Sequence, residues 1–262
     1  MEITWRVEPG EQMPAPATGE EAVFTLQRGN RFFADLDRTQ KCVIPVSAEE
    51  LGLGGEHPQA PMAAVLGCAD ARVPLELVFS QPANDLFVVR VAGNVLGDET
   101  LGSLDFAVER LESLRAIAVV GHTGCGAVSA AVDAYLTPQD HLALSARLPL
   151  RSIVDAVLPS VRSADVALRG HFGENVAQRP GFRSAVLDAA VVLNAATTAE
   201  ALARLFGERT HVVYGVYHLA SRLVGVPDLG REWRHGLFAP PADFPQFALD
   251  LVRSVHVREV LG

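Results

Sequence analysis

Hydrophobic positions in the middle of this chain follow two alternating patterns. Short continuous apolar runs, typical of strands buried on both faces, alternate with longer segments whose apolar residues recur every three or four positions. The predicted strands are 62–66, 86–91, 116–120 and 211–219, and the predicted helices are 20–36, 101–114, 126–136 and 181–206. This alternation predicts an α/β fold with a largely parallel central sheet flanked by helices.

The two ends of the chain differ from this middle part. Residues 1–19 form a polar, proline-containing arm, and 37–61 look irregular. The pattern changes again at Pro227, and residues 247–261 predict a final amphipathic helix. We therefore divide the chain into an arm (1–19), a main domain (20–226) and a C-terminal extension (227–262).

Composition excludes several classes of partner. The 22 basic and 31 acidic residues give a net charge of −9, which disfavours nucleic acid and anionic membranes. The sequence contains no run of about 18 apolar residues, so we predict no membrane span. With three cysteines and no apolar signal core near the start of the chain, we expect a cytoplasmic protein.

Lysine is almost absent from the sequence, and this excludes several classes of enzyme. Lys41 is the only lysine, so 21 of the 22 basic residues are arginines. The chain therefore has no phosphate-binding loop lysine after a glycine-rich turn and no Tyr-x-x-x-Lys pair. A Schiff-base enzyme would depend on Lys41 alone.

Two short motifs follow predicted strands. The first predicted strand is followed by Cys68-Ala69-Asp70-Ala71-Arg72, and the third by His122-Thr123-Gly124-Cys125. Cys68 and His122 are 54 residues apart (122 − 68). The carboxyl ends of parallel strands meet at one edge of a sheet, so we expect the two motifs to be in contact. Two thiolates and one imidazole suit Zn²⁺ and leave its fourth position open, as in catalytic zinc sites.

Asp70 and Arg72 are expected to act beside that zinc. Asp70 lies two residues after Cys68, on the same side of an extended backbone, where it accepts a hydrogen bond from zinc-bound water or binds the metal itself. The planar guanidinium of Arg72 holds such a carboxylate through two hydrogen bonds.

Other interpretations of these residues remain open. Cys68 and Cys125 are each consistent with a buried structural thiol, as is Cys42, which lies outside both motifs. The glycines at 121, 124 and 126 resemble a dinucleotide phosphate turn but do not fit G-x-G-x-x-G. A hydrolase with a cysteine nucleophile and His122 as base leaves the second cysteine without a role.

At these motifs the sequence resembles the β-class carbonic anhydrases, whose pattern is Cys-x-Asp-x-Arg followed by His-x-x-Cys. The resemblance covers about 20–225 and includes four further segments: Gly29-Asn30-Arg31-Phe32, Phe87 to Asn94, Ser103 to Val108 and Val213 to Tyr217. The extension after Pro227 lies beyond it.

The resemblance implies roles for individual residues. It implies zinc on Cys68, His122 and Cys125, with Asp70 and Arg72 as the catalytic pair. It also implies four substrate-binding residues. Gln59 would hydrogen-bond bicarbonate across a dimer interface, and the apolar CO2 pocket would be formed by Phe87, Ala92 and Phe106. Phe106 stands where many members have tyrosine.

The implied function is reversible hydration of CO2 to bicarbonate and a proton by zinc-bound hydroxide, the carbonate dehydratase reaction. The alternatives are a COS or CS2 hydrolase on the same fold and a non-catalytic zinc- or bicarbonate-binding homologue. A homodimer or homotetramer is expected, with the N-terminal helix on a partner subunit because its apolar face needs cover.

Overall fold

Six strands form the central sheet of this protein. The computed structural model describes residues 2–8, 15–36, 41–48, 51, 55–137, 139, 142 and 147–262. The six strands are β3 (Ala63–Gly67), β4 (Leu86–Arg90), β5 (Ala116–His122), β6 (His211–Tyr217), β7 (Val224–Pro227) and β8 (Trp233–His235). Their order is β4-β3-β5-β6-β7-β8, and the first four strands are parallel. The largely parallel sheet predicted from the sequence is confirmed, with an antiparallel addition from β7 and β8.

Two further strands pair outside this sheet. β1 (Glu2–Glu8) and β2 (Lys41–Ser47) are parallel neighbours in a two-stranded sheet. They lie in the arm and in the stretch that the hydropathy pattern predicted to be irregular. The pattern did not show them because each strand is stabilised by a partner distant in sequence rather than by local periodicity.

Helices cover both faces of the central sheet. They are α1 (Gly19–Asp35), α2 (Leu75–Val78), α3 (Asp98–Arg110), α4 (Gly126–Leu136), α5 (Leu148–Phe172), α6 (Phe182–Phe206), α7 (Phe244–Val252) and α8 (Val255–Leu261). Along β5, Ile117 and Val119 face the core shared with α4, α5 and α6, whereas Ala118 and Val120 face α1 and α2. Every residue of β5 is buried, which explains its uninterrupted apolar run.

The helix α5 was not predicted, although it is 25 residues long. Pro159 stands inside it, although proline lacks the N–H that continues the helical hydrogen bonds. The buried residues Val154, Val157, Val161 and Leu168 recur at helical spacing and pack into the core. Tertiary packing therefore maintains the helix across the proline.

The C-terminal extension belongs to the same core as the main domain. Trp233 of β8 and Leu251, Val257 and Leu261 of the last two helices are buried within the cluster that α5 and α6 form. The single helix predicted for 247–261 is two helices. Ser254 separates them because its buried side-chain oxygen accepts a hydrogen bond from the backbone N–H of Val257 and begins α8.

The helix α6 is long and apolar enough to cross a membrane by length and composition alone. In this structure 72% of its most apolar window is buried inside the protein. It packs against α5 and the central sheet, as core helices of globular domains do.

Candidate metal centre

The two cysteine motifs meet because β3 and β5 are adjacent and parallel. Cys68 follows the last residue of β3, and His122 is the last residue of β5. Gly67 is paired in register with Val120, so both strands end at the same edge of the sheet. Cys125 follows a short turn and lies at the N-terminus of α4. The predicted convergence of the two motifs is thus observed.

Three ligand atoms come together in a buried cluster. The two cysteine sulfurs and a ring nitrogen of His122 all lie within 4.8 Å of one another. The exposed fractions of Cys68, His122 and Cys125 are 4%, 0% and 1%. His122 Nδ1 lies 3.1 Å from the carbonyl oxygen of Thr123 and donates its hydrogen there, since a carbonyl only accepts. The buried Nε2 has no hydrogen-bond partner among the described residues, so its lone pair is available.

The spacing of the two sulfurs fits a tetrahedral zinc ion. Two thiolates each about 2.3 Å from such an ion are about 3.8 Å apart. The observed distance between Cys68 Sγ and Cys125 Sγ is 3.8 Å. The unpartnered Nε2 supplies the third donor, and a cysteine nucleophile would leave one of these sulfurs without function. The residues present therefore fit zinc.

The protonation of the two thiols shows why a cation belongs between them. The hydrogen bond from the Cys125 thiol, and after it that from the backbone N–H of Gly93, lower the pKa of the Cys68 thiol to about 4. Its hydrogen bond to Cys68 and its own burial raise the pKa of the Cys125 thiol, because a second thiolate would face the first. A divalent cation removes that repulsion and stabilises both thiolates.

Asp70 and Arg72 form the ion pair that the sequence suggested. Arg72 Nε donates to Asp70 Oδ1 at 2.9 Å, and the terminal guanidinium nitrogen donates to Oδ2 at 2.7 Å. These hydrogen bonds hold the pKa of the Asp70 carboxyl well below its usual range, so it is ionised. Asp70 Oδ2 lies 3.8 Å from His122 Nε2. Arg72 also donates to the Gly124 carbonyl oxygen at 3.3 Å and so connects the two motifs.

Arg90 is a site residue for which the sequence analysis gave no role. Its Nε donates to the Cys68 carbonyl oxygen at 3.0 Å, and its terminal nitrogen donates to the Asp70 carbonyl oxygen at 2.6 Å. Arg90 is the last residue of β4, which neighbours β3, and so it holds the backbone of the first motif. The only signal in the sequence was a charged residue ending an apolar strand.

The four residues predicted to bind substrate are not all brought to the metal centre. Ala92 begins a 3₁₀ turn, Ala92–Asn94, that contacts Cys68 through the Gly93 N–H. The rings of Phe87 and Phe106 lie 6.4 Å apart, and Phe106 is 47% exposed. Gln59 is exposed and precedes the amino end of β3, opposite to the edge that carries Cys68. Within one chain, Gln59 therefore remains apart from the metal centre.

Comparison with known proteins relates this geometry to one family. A family model described as carbonic anhydrase matches residues 63–223. Carbonic anhydrase 2 of Mycobacterium tuberculosis (strain H37Rv) is 42% identical over 106 residues, which are 39% of this chain and 47% of the relative. The match thus spans about half the length of that relative.

A second relative and a solved structure extend the comparison. The carbonic anhydrase of Mycolicibacterium smegmatis is 34% identical over 168 residues, which are 63% of this chain and 77% of the relative. The structure of the β-carbonic anhydrase CcaA superposes with a TM-score of 0.51 at 24% identity, covering 70% of this chain and 86% of that one. This last similarity concerns the fold.

Proposed function

Because the chain belongs to the β-class carbonic anhydrase family, we propose that it uses zinc to catalyse the reversible hydration of CO2 to bicarbonate and a proton. The observation that carries this proposal is the buried cluster of two sulfurs 3.8 Å apart with an unpartnered histidine nitrogen facing them. An ionised carboxylate, held by an arginine, lies directly beside that nitrogen.

Each residue of the cluster has a distinct task in this reaction. Cys68, His122 and Cys125 would hold a zinc ion, whose Lewis acidity lowers the pKa of water enough for attack on CO2. Asp70 accepts a hydrogen bond from the attacking water and orients its lone pair toward the carbon. Arg72 keeps Asp70 ionised and occupies both of its oxygens, so the carboxylate acts as a fixed acceptor.

Apolar surface for CO2 would come from the residues that the family resemblance indicates. Ala92 adjoins the turn that contacts Cys68. Phe87 packs against the same core as the metal ligands, with Phe106 next to it. CO2 has no net dipole and gains little from polar contacts, so apolar side chains favour its binding over that of water.

A direct comparison of substrates tests this proposal. We expect the purified chain to contain one zinc ion and to accelerate CO2 hydration in a stopped-flow pH-indicator assay. Release of hydrogen sulfide from COS, measured on the same preparation, should be much slower. Faster turnover of COS would identify a hydrolase of COS or CS2, and zinc binding without turnover of either would identify a non-catalytic homologue.

We also propose that the chain works as a homodimer or homotetramer. The sequence predicted that a partner subunit covers the apolar face of α1. In the structure, Ala22, Leu26 and Phe33 on this face pack against the sheet of the same chain. The outer side of α1 nevertheless exposes Phe24 by 64% and Phe32 by 52%. Two exposed aromatic rings on one helix are typical of an interface. Association also offers the exposed Gln59 a route to a neighbouring subunit's site.

We expect a sedimentation mass of at least twice 28.0 kDa for the wild-type chain. Phe24→Ser combined with Phe32→Ser should shift the mass toward that of one chain, because apolar contact area is lost at the interface. Leu205→Ser is the matched control, since Leu205 is 57% exposed on α6. A monomeric wild type, or equal dissociation of both variants, would contradict this assignment.

A further inference from the structure

We propose that Asn194 is a positioning residue for the metal ligand Cys68, acting through Gly93. This inference rests on the proposed zinc site. Asn194 lies on α6, only 3% exposed, and its side-chain nitrogen donates to the Gly93 carbonyl oxygen at 2.8 Å. The N–H of the same glycine points to Cys68 Sγ at a distance of 3.3 Å. Two successive hydrogen bonds therefore connect a core helix to the sulfur.

The Gly93 turn needs this support because glycine leaves its backbone free to adopt other conformations. Gly93 has a φ of +68°, and Asn94, which follows it, has a φ of +46°. A Cβ added to Gly93 would lie 3.2 Å from the Ala127 Cβ at the start of α4. Glycine adopts positive and negative φ about equally readily, so local preference alone does not hold the turn in this one orientation. The hydrogen bond from Asn194 fixes the carbonyl and thereby the direction of the N–H.

The direction of that N–H matters for the metal. A backbone N–H donated to a thiolate withdraws charge from the sulfur and sets how strongly the sulfur donates to a cation. Groups that orient metal ligands in this way typically change metal affinity by about 10- to 100-fold when they are removed.

Asn194 can be replaced without overpacking the core. It borders an apolar cavity of about 730 Å³ between α5, α6 and α7. Leucine has as many side-chain heavy atoms as asparagine, is bulkier and has no hydrogen-bond donor. Asn194→Leu therefore removes the contact with Gly93, and the neighbouring cavity accommodates the extra volume. Thr198, one turn further along α6, lines the same cavity. The hydrogen bond to the Gly93 carbonyl comes from Asn194 and not from Thr198. Thr198→Val is therefore the matched control.

The test measures the metal site itself. We expect Asn194→Leu to weaken zinc binding by about 10-fold in competition with a chromophoric chelator. Loaded with Co²⁺ instead of zinc, it should show a shifted thiolate-to-cobalt absorption band. Thr198→Val should match the wild type in both measurements. If folded Asn194→Leu keeps the zinc affinity and the cobalt band of the wild type, or if Thr198→Val changes them equally, the positioning role is wrong.

A second variant keeps the test possible if Asn194→Leu does not fold. Asn194→Ser keeps a polar side chain that is too short to reach the Gly93 carbonyl, and the same two changes are expected of it. Wild-type zinc binding separates this inference from the proposed function. A wild-type chain that binds no zinc would overturn the proposed metal centre, whereas normal wild-type binding with unchanged Asn194 variants would overturn only the role of Asn194.

Discussion

Alanine in place of Cys68, His122 or Cys125 is expected to abolish stoichiometric zinc and CO2 hydration in each single variant. The three ligand atoms lie within 4.8 Å of one another and are almost fully buried, so removal of one leaves only two of the three buried donors for the ion. We expect zinc affinity to fall by more than the roughly 10- to 100-fold seen when only supporting residues change. Metal analysis after dialysis, together with stopped-flow rates, measures both effects.

The remaining cysteine and an exposed histidine supply the controls. Cys42, whose side chain lies outside the described part of the structure, belongs to neither motif, and His57 is exposed before β3. Cys42→Ala and His57→Ala should keep one zinc ion per chain and the full rate. One stoichiometric zinc in all three ligand variants would show that the metal binds elsewhere.

Asp70→Asn is expected to retain zinc but to lose CO2 hydration by about 100-fold or more. Asparagine has nearly the same shape, yet its amide has no negative charge and presents an N–H where one carboxylate oxygen accepted a hydrogen bond. Arg72 then loses half of its bidentate contact. Zinc content and kcat measured on the same sample separate loss of metal from loss of turnover.

The pH dependence gives this prediction a second readout. The pKa of Asp70 lies well below its usual range, mainly because of the hydrogen bond from Arg72. Because the pKa is lowered, the carboxylate is ionised at every pH above the ordinary pKa of aspartate, and it loses its charge only in stronger acid. The ratio of wild-type to Asp70→Asn rates should therefore stay constant from about pH 6 to pH 9.

A nearby acidic residue is the control for Asp70. Glu76 lies on α2, outside the Asp70–Arg72 contacts, so Glu76→Gln should leave kcat unchanged. A ratio that falls toward one within the pH range, or a fully active Asp70→Asn, would remove the carboxylate from the reaction.

Secondary structure near the metal centre could be predicted because its signal is local. The uninterrupted apolar run over 116–120 predicted β5, which continues two residues further to His122, and the helix over residues 126–136 has the predicted bounds. The helix α3 begins at Asp98, three residues before the predicted start. Its first turn contains acidic residues, which favour a helix N-terminus but carry no hydrophobic period.

Elements that depend on distant partners were missed or altered. The helix α5 contains Pro159 and was not predicted, and packing against α6 maintains it. β1 and β2 pair with each other although α1 separates them in the sequence. No local pattern predicts which distant segment a strand will pair with. The interaction of Arg90 with the first motif likewise depends on β4 lying beside β3.

The sequence by itself determined the donor set. Two cysteines and a histidine at these spacings suit zinc. The local hydrophobic pattern predicted that these three residues, with Asp70 and Arg72, lie at or just after the end of a strand. Only the tertiary structure decided the distances, the burial and the supporting hydrogen bonds, including those of Asn194 and Arg90. The physical reason is that chemical identity is local to each residue, whereas the side chains that surround it depend on how strands and helices pair across the whole chain.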